Sequence, residues 1–198
     1  MNADADTAQQ AKQQRQARKE EQKRLHSLER ELRSLLLCVP LLLSLSAAQA
    51  GDNRAERAMI LSTNMTAWVA AHTNYTAPNP PPVEFLDQID LRQRCYPGFD
   101  LNLVPQVGGV YDPKNKTIYL DVDCNLNEPT SASYLLHEVV HHFQLANDAH
   151  LLVRCREQLE GEAVKLQSLW LKEKGVSDPL ESLGIDERTL RIIGSCQR

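Results

Sequence analysis

The sequence predicts an α+β domain that is mostly helical, with a small antiparallel sheet or hairpin packed on one of its helices. Three observations lead there. Apolar residues recur at helical spacing over 52–72, 129–146 and 150–174. Residues 117–123 instead alternate with period two, Ile118, Leu120 and Val122 on one face and Tyr119, Asp121 and Asp123 on the other. Turn and breaker clusters separate these stretches, the strongest being Ala77-Pro78-Asn79-Pro80-Pro81-Pro82.

The first fifty residues stand apart from this pattern. Residues 1–34 are rich in Gln, Lys, Arg and Glu, whereas 35–50, LLLCVPLLLSLSAAQA, carry no charge. Arg30 and Arg33 precede the uncharged run and Ala48-Gln49-Ala50 ends it, which is the layout of a secretory signal peptide cleaved after Ala50. A membrane-spanning helix needs ~20 apolar residues, and this run is shorter and contains Pro40. The reading is therefore a secreted or periplasmic protein, with membrane attachment only if the leader stays uncleaved. The charged leader 1–34 is long for a signal peptide. It is either a cytoplasmic helix or sequence upstream of the true start near Leu25 to Leu32, and the second is favoured. One domain, residues 51–198, remains.

That domain holds 14 Lys and Arg against 20 Asp and Glu, a net charge of −6. Nucleic-acid phosphates demand basic patches, so nucleic acid is excluded as a partner. Four cysteines follow the leader, Cys95, Cys124, Cys155 and Cys196, none in a C-x-x-C spacing. In an oxidising compartment an even number reads as disulfides. The preferred pairs are Cys95–Cys124, tying the base of the hairpin, and Cys155–Cys196, clamping the tail to the second long helix.

Each element follows in order. Ala55, Ala58, Met59, Leu61, Met65, Trp68 and Val69 give the first helix its apolar stripe. The proline run forces an extended linker, and 83–92 resume as a short helix or turn. Tyr96-Pro97-Gly98 is a turn, and 101–123 form a hairpin about Asp112-Pro113-Lys114-Asn115-Lys116. Pro129-Thr130-Ser131 opens a helix with a hydroxyl cap and Asn147-Asp148 closes it. The next helix runs from about His150 to Lys174, ended by Gly175, and 186–193 form a last short helix.

The chemistry lies on the 129–146 helix, in His137-Glu138-Val139-Val140-His141. Residues four apart stack on one helix face, so the two imidazoles present themselves to one point, as a tetrahedral Zn2+ requires. Glu138 is placed beside the first ligand, within reach of an activated water. His142 is turned about 100° from His141 and reads as a packing or hydrogen-bonding residue. A catalytic zinc takes a third protein ligand and keeps one position open. The candidates are Glu157, Glu160 and Glu162. Glu162 is preferred, because Cys155, Leu159, Glu162, Ala163, Leu166 and Trp170 share a face apolar enough to be buried, and a buried carboxylate needs a cation.

His137-Glu138-x-x-His141 followed by Glu162-Ala163 on the next helix resembles the gluzincin metallopeptidases, the thermolysin-like clan. The pattern is also similar to that of small secreted bacterial proteins. The resemblance covers roughly residues 105–170 and implies a zincin-like fold, with the hairpin's strand lining the substrate cleft. Where that clan carries an Asp four residues past the ligand Glu, this chain has Leu166, with Gln167 beside it. The metzincin pattern fails, because Gln144 and Asn147 occupy its glycine and third-histidine positions. The functional expectation is an exported zinc-dependent hydrolase, a peptidase using a zinc-activated water with Glu138 as general base. Peptide or protein would be the substrate, and Tyr111, Tyr119, His142 and His150 are candidate oxyanion donors. The competing expectation is a non-catalytic zinc protein that recognises a peptide or a cell-wall component.

Overall fold

A computed structural model describes residues 53–196, together with Lys23. The expected signal peptide, its expected cleavage after Ala50 and, Lys23 apart, the charged leader lie outside the described residues. Residues 53–72 form helix α1, with Ala58, Met65 and Val69 fully packed. Strand β1 (Val83–Leu86), helix α2 (Gln88–Cys95), strands β2 (Gly109–Asp112) and β3 (Thr117–Asp121), and helix α3 (Pro129–Ala146) follow. A 3-10 turn at Ala149–Leu151 leads to α4 (Glu157–Glu173), α5 (Pro179–Ser182) and α6 (Glu187–Ile193). The mixed α+β architecture with a small sheet is as the sequence predicts.

The hairpin is present, with β2 antiparallel to β3 in the register Gly109–Leu120 and Asp112–Thr117. Residues 83–86 differ from expectation. They form a strand parallel to β3, giving the order β1-β3-β2. The proline run positions it. Ser62 Oγ donates to Pro81 O at 2.8 Å, pinning the extended segment to α1, and Ile118 N donates to Pro82 O at 2.9 Å. With β3 central, both its faces are covered. Tyr119, on the face expected to be polar, is buried under the Arg94 guanidinium, 4.2 Å from its ring centroid.

Helix α3 runs over the predicted residues, but its cap is a carboxylate. Pro129 has no N–H to satisfy and takes the first helical position, so Glu128 becomes the cap and accepts from Thr130 N at 2.9 Å and Ser131 N at 2.6 Å. Leu135, Leu136, Val139, Val140 and Phe143 are fully buried, since the sheet packs on one side of α3 and α4 on the other. Helix α4 starts seven residues later than expected. Asp148 takes a left-handed conformation (φ 54°) and the chain turns, leaving Leu151 and Leu152 exposed, so their hydrophobicity does not mark a helix.

Cys155–Cys196 forms the predicted disulfide, joining the start of α4 to the tail. Cys95–Cys124 does not form, and both thiols are free. Helix α2 explains the failure. Its first residue, Gln88, bonds Asp121 at the end of β3, while Arg94 reaches back to Asp112 at the far end of the hairpin. Cys95 is thus carried about 10 Å, one helix length, away from the Asp121 end where Cys124 is buried.

Candidate metal centre

Two turns of α3 place His137 and His141 with their Nε2 atoms 3.1 Å apart. Glu160, from the first turns of α4, closes the group. Its Oε2 lies 3.4 Å from His137 Nε2 and 3.2 Å from His141 Nε2. His137, His141 and Glu160 can hold a metal ion: one donor atom from each lies within 4.8 Å of the others. Tetrahedral ligands at the usual zinc distances of about 2.0–2.1 Å sit about 3.3 Å from one another, which matches these separations.

Glu162, the preferred third ligand, is not in this group. Its Oε2 accepts from Tyr75 OH at 2.8 Å and from Gln144 Nε2 at 2.9 Å. The difference lies in the helix phase. The face drawn through Leu159, Ala163, Leu166 and Trp170 leaves out Val164, Gln167 and Leu171, which are buried too and turn its centre toward Glu160. The buried positions are Leu159, Gly161, Ala163, Val164, Gln167, Trp170 and Leu171. Glu160 is seven residues before Gln167, nearly two full turns, and so projects toward α3 beside it. A polar Gln at such a position in a buried helix was the signal available in the sequence.

The outer hydrogen bonds determine which ring nitrogens carry protons. Gln144, fully buried, has its amide nitrogen 2.9 Å from both Leu159 O and Glu162 Oε2, which only accept. Its Oε1 therefore faces His141 Nδ1, 2.8 Å away, and that nitrogen donates. Gln167 Nε2 donates to Ser133 Oγ at 2.9 Å, because the Ser133 hydroxyl proton is committed to Thr130 O at 2.6 Å. Gln167 Oε1 in turn accepts from His137 Nδ1 at 3.1 Å. Both imidazoles thus direct Nε2 lone pairs at each other and at a carboxylate. Without a metal, a proton must share the site. Burial opposes a charged His141, but the hydrogen bond and charge of Glu160, with the charge of Glu138, outweigh it and raise its pKa to about 9. Burial likewise opposes charge on Glu160, and the two histidines overcome it, holding the carboxyl well below the usual range.

Glu138 is buried at the wall of a cleft of about 960 Å³ that also exposes His137, His141 and Glu160. Among the described residues no hydrogen bond engages its carboxylate. Strand β2 passes close by because position 109 is glycine: a Cβ there would stand 2.9 Å from Leu120 Cδ2 and 3.1 Å from Glu138 Cγ. The outer edge of β2 is open. Asp121 N donates to Gly108 O, which makes that pair, and by alternation Val110–Tyr119 and Asp112–Thr117, the hydrogen-bonded ones. The backbone groups of Gly109 and Tyr111 are left pointing outward along the cleft.

The four candidate oxyanion donors separate. Tyr111 and His150 line the cleft, Tyr119 lies beneath Arg94, and His142 is buried behind Tyr111. His142 Nε2 donates to Asn79 O at 3.0 Å, so its Nδ1 accepts from Tyr111 OH at 2.8 Å. Burial holds His142 below the ordinary histidine pKa, in keeping with that neutral form. Cys95 also lines the cleft, and burial, then the Glu138 charge, push its thiol up to about 11, leaving it neutral.

No curated protein and no solved structure matches the chain. A protein family does, over residues 54–188, a span that contains the histidine pair, Glu138, Glu160 and both glutamines. The chain belongs to the family described as Domain of unknown function (DUF6647).

Proposed function

We propose that this protein is a zinc-dependent hydrolase of gluzincin type, acting on peptides outside the cytoplasm. The observation that carries the reading is the convergence of two imidazole lone pairs and one carboxylate whose outer nitrogens are already committed. Such a donor set is unfavourable without a cation, and two His with one Glu is a ligand set that leaves a fourth position for catalysis. A bound zinc ion would supply Lewis acidity, lowering the pKa of water from about 15.7 toward ~7.

The rest follows from the chain's own residues. His137, His141 and Glu160 would hold the ion. Glu138 takes a proton from the attacking water and returns it to the leaving amine. An extended peptide adds along β2 through the outward N–H and C=O groups of Gly109 and Tyr111, which aligns its carbonyl with the cleft floor. His150, on the wall of the same cleft, is the candidate donor to the developing oxyanion. Tyr111 can donate only by releasing its bond to His142. The Cys155–Cys196 disulfide fits an oxidising compartment.

Metal analysis and hydrolysis of unfolded polypeptide, on the purified protein with and without chelator, test this. One zinc per chain and chelator-sensitive cleavage are expected. Glu160→Ala should lose the metal. Glu138→Gln should keep it and lose nearly all hydrolysis. Absence of metal in the wild type overturns the site. Metal without hydrolysis leaves the peptide- or wall-recognising protein as the better description.

A further inference from the structure

We propose that Gln144, Glu162 and Tyr75 form a hydrogen-bonded relay that fixes which nitrogen of His141 faces the metal. The inference rests on the metal site proposed above, and it gives these three residues a positioning role that ligation alone does not require.

Gln144 sits three residues after His141 on α3 and is fully buried. An amide can face either way, and the two orientations have opposite consequences. With Oε1 toward His141, Nδ1 carries the proton and Nε2 is free for the metal. With the amide nitrogen toward it, Nδ1 must accept, and the proton moves to Nε2, where the metal should bind. Two acceptor-only groups, Leu159 O and the Glu162 carboxylate, select the first orientation. Leu159 O is backbone at the start of α4, so Glu162 is the adjustable partner.

Glu162 is held in turn by Tyr75 OH at 2.8 Å. Burial of the phenol, then its bond to that carboxylate, raise its pKa, so Tyr75 remains the donor. Tyr75 lies just beyond α1, and Asn147 anchors its loop at both backbone groups of Thr76: Thr76 N donates to Asn147 Oδ1 at 2.8 Å, and Asn147 Nδ2 donates to Thr76 O at 2.9 Å. The relay therefore runs from α1's loop through α4 to a ligand on α3. His137 is oriented differently, by Gln167 and Ser133 alone.

The test is zinc affinity by chelator competition at fixed pH, with the disulfide intact. Gln144→Met should bind zinc about 10- to 100-fold more weakly, as loss of outer partners of metal-bound histidines does. Gln144→Glu separates the relay from a simple acceptor. A simple acceptor predicts tighter zinc, because a carboxylate raises ligand basicity. The relay predicts weaker zinc, because that carboxylate would face Leu159 O and Glu162 with no proton to offer.

Tyr75→Phe removes one hydroxyl from a half-buried ring and serves where the Gln144 variants fail to fold. Zinc should weaken a few-fold, and the His141 Nδ1–H signal of the zinc-loaded protein should exchange faster with solvent. Unchanged affinity in Gln144→Met, tighter zinc in Gln144→Glu, or no change of either kind in Tyr75→Phe overturns the relay while leaving the metal site standing. A wild type that binds no zinc overturns both.

Discussion

With no cation among His137, His141 and Glu160 a proton must sit there, and this gives stability a pH dependence of calculable sign. His141 is raised from an ordinary value of 6.5 to about 9. A base that gains a partner on folding contributes its full stabilisation below its unfolded pKa and loses it as pH rises through the folded one. The contribution is therefore complete below about pH 6.5 and gone above about pH 9. At 1.36 kcal/mol per pKa unit it amounts to about 3 kcal/mol at most. The His141 side chain is only 17% exposed, so solvent screening removes little. Glu160, depressed by the same contacts, works in the opposite sense: its share is present above its ordinary value near 4.5 and lost as pH falls. It describes the same pairing and is not added again. Chelated protein should be most stable between about pH 4.5 and 6.5. Urea unfolding of chelated wild type and Glu160→Gln, from pH 5 to 9.5, measures this. The wild type should lose stability toward pH 9, and Glu160→Gln, lacking the carboxylate that holds the proton, should show a much flatter alkaline limb. Equal wild-type stability at pH 6 and 9.5, or parallel losses in the two proteins, would refute the reasoning.

Two further outcomes test the clamp on α4. Replacing Cys155 and Cys196 together by Ser removes a cross-link spanning 41 residues, and denaturant unfolding should show a loss of about 4 kcal/mol in the chain-entropy treatment. Gly161→Ala should be destabilising by about 1–3 kcal/mol in the same assay, although Ala normally favours a helix interior by ~1 kcal/mol, because its Cβ would meet Gly194 Cα at 2.5 Å and the backbone cannot yield easily. A stabilised Gly161→Ala would show that α6 does not press on α4 as closely as described.

How legible each feature was in the sequence depends on whether its cause is local. The helix bearing His137 and His141 is set by short-range periodicity, and its bounds are as expected. The β2–β3 hairpin is also local, with a turn cluster between adjacent strands. Strand β1 was missed because four residues, Val83–Leu86, are too short a run for alternation to mark a strand, and they pair with a segment more than thirty residues away, after a proline run that looks like a linker. Cys95 and Cys124 were misjudged for a related reason. They flank the hairpin in sequence, but α2 folds back along the sheet and carries Cys95 to the cleft instead.

The carboxylate beside the histidine pair shows the limit most clearly. Glu160 and Glu162 lie two positions apart, about 200° around a helix, so choosing between them requires the helix phase to within a quarter turn. The apolar residues of α4 could not supply it alone, because α4 is flanked by α3 and α6 and buries residues over a wide arc. The polar residues could have. Gln144 and Gln167 occupy buried positions on facing helices, where an amide costs free energy unless all its bonds are met. Each meets that demand through one histidine of the pair, and Gln167 marks the α4 face on which Glu160 projects. In a helix pair that brings such a donor group together, buried amides are thus the better guide to phase than hydrophobic residues. They tolerate only one orientation of the helix, whereas a Leu or Val tolerates several.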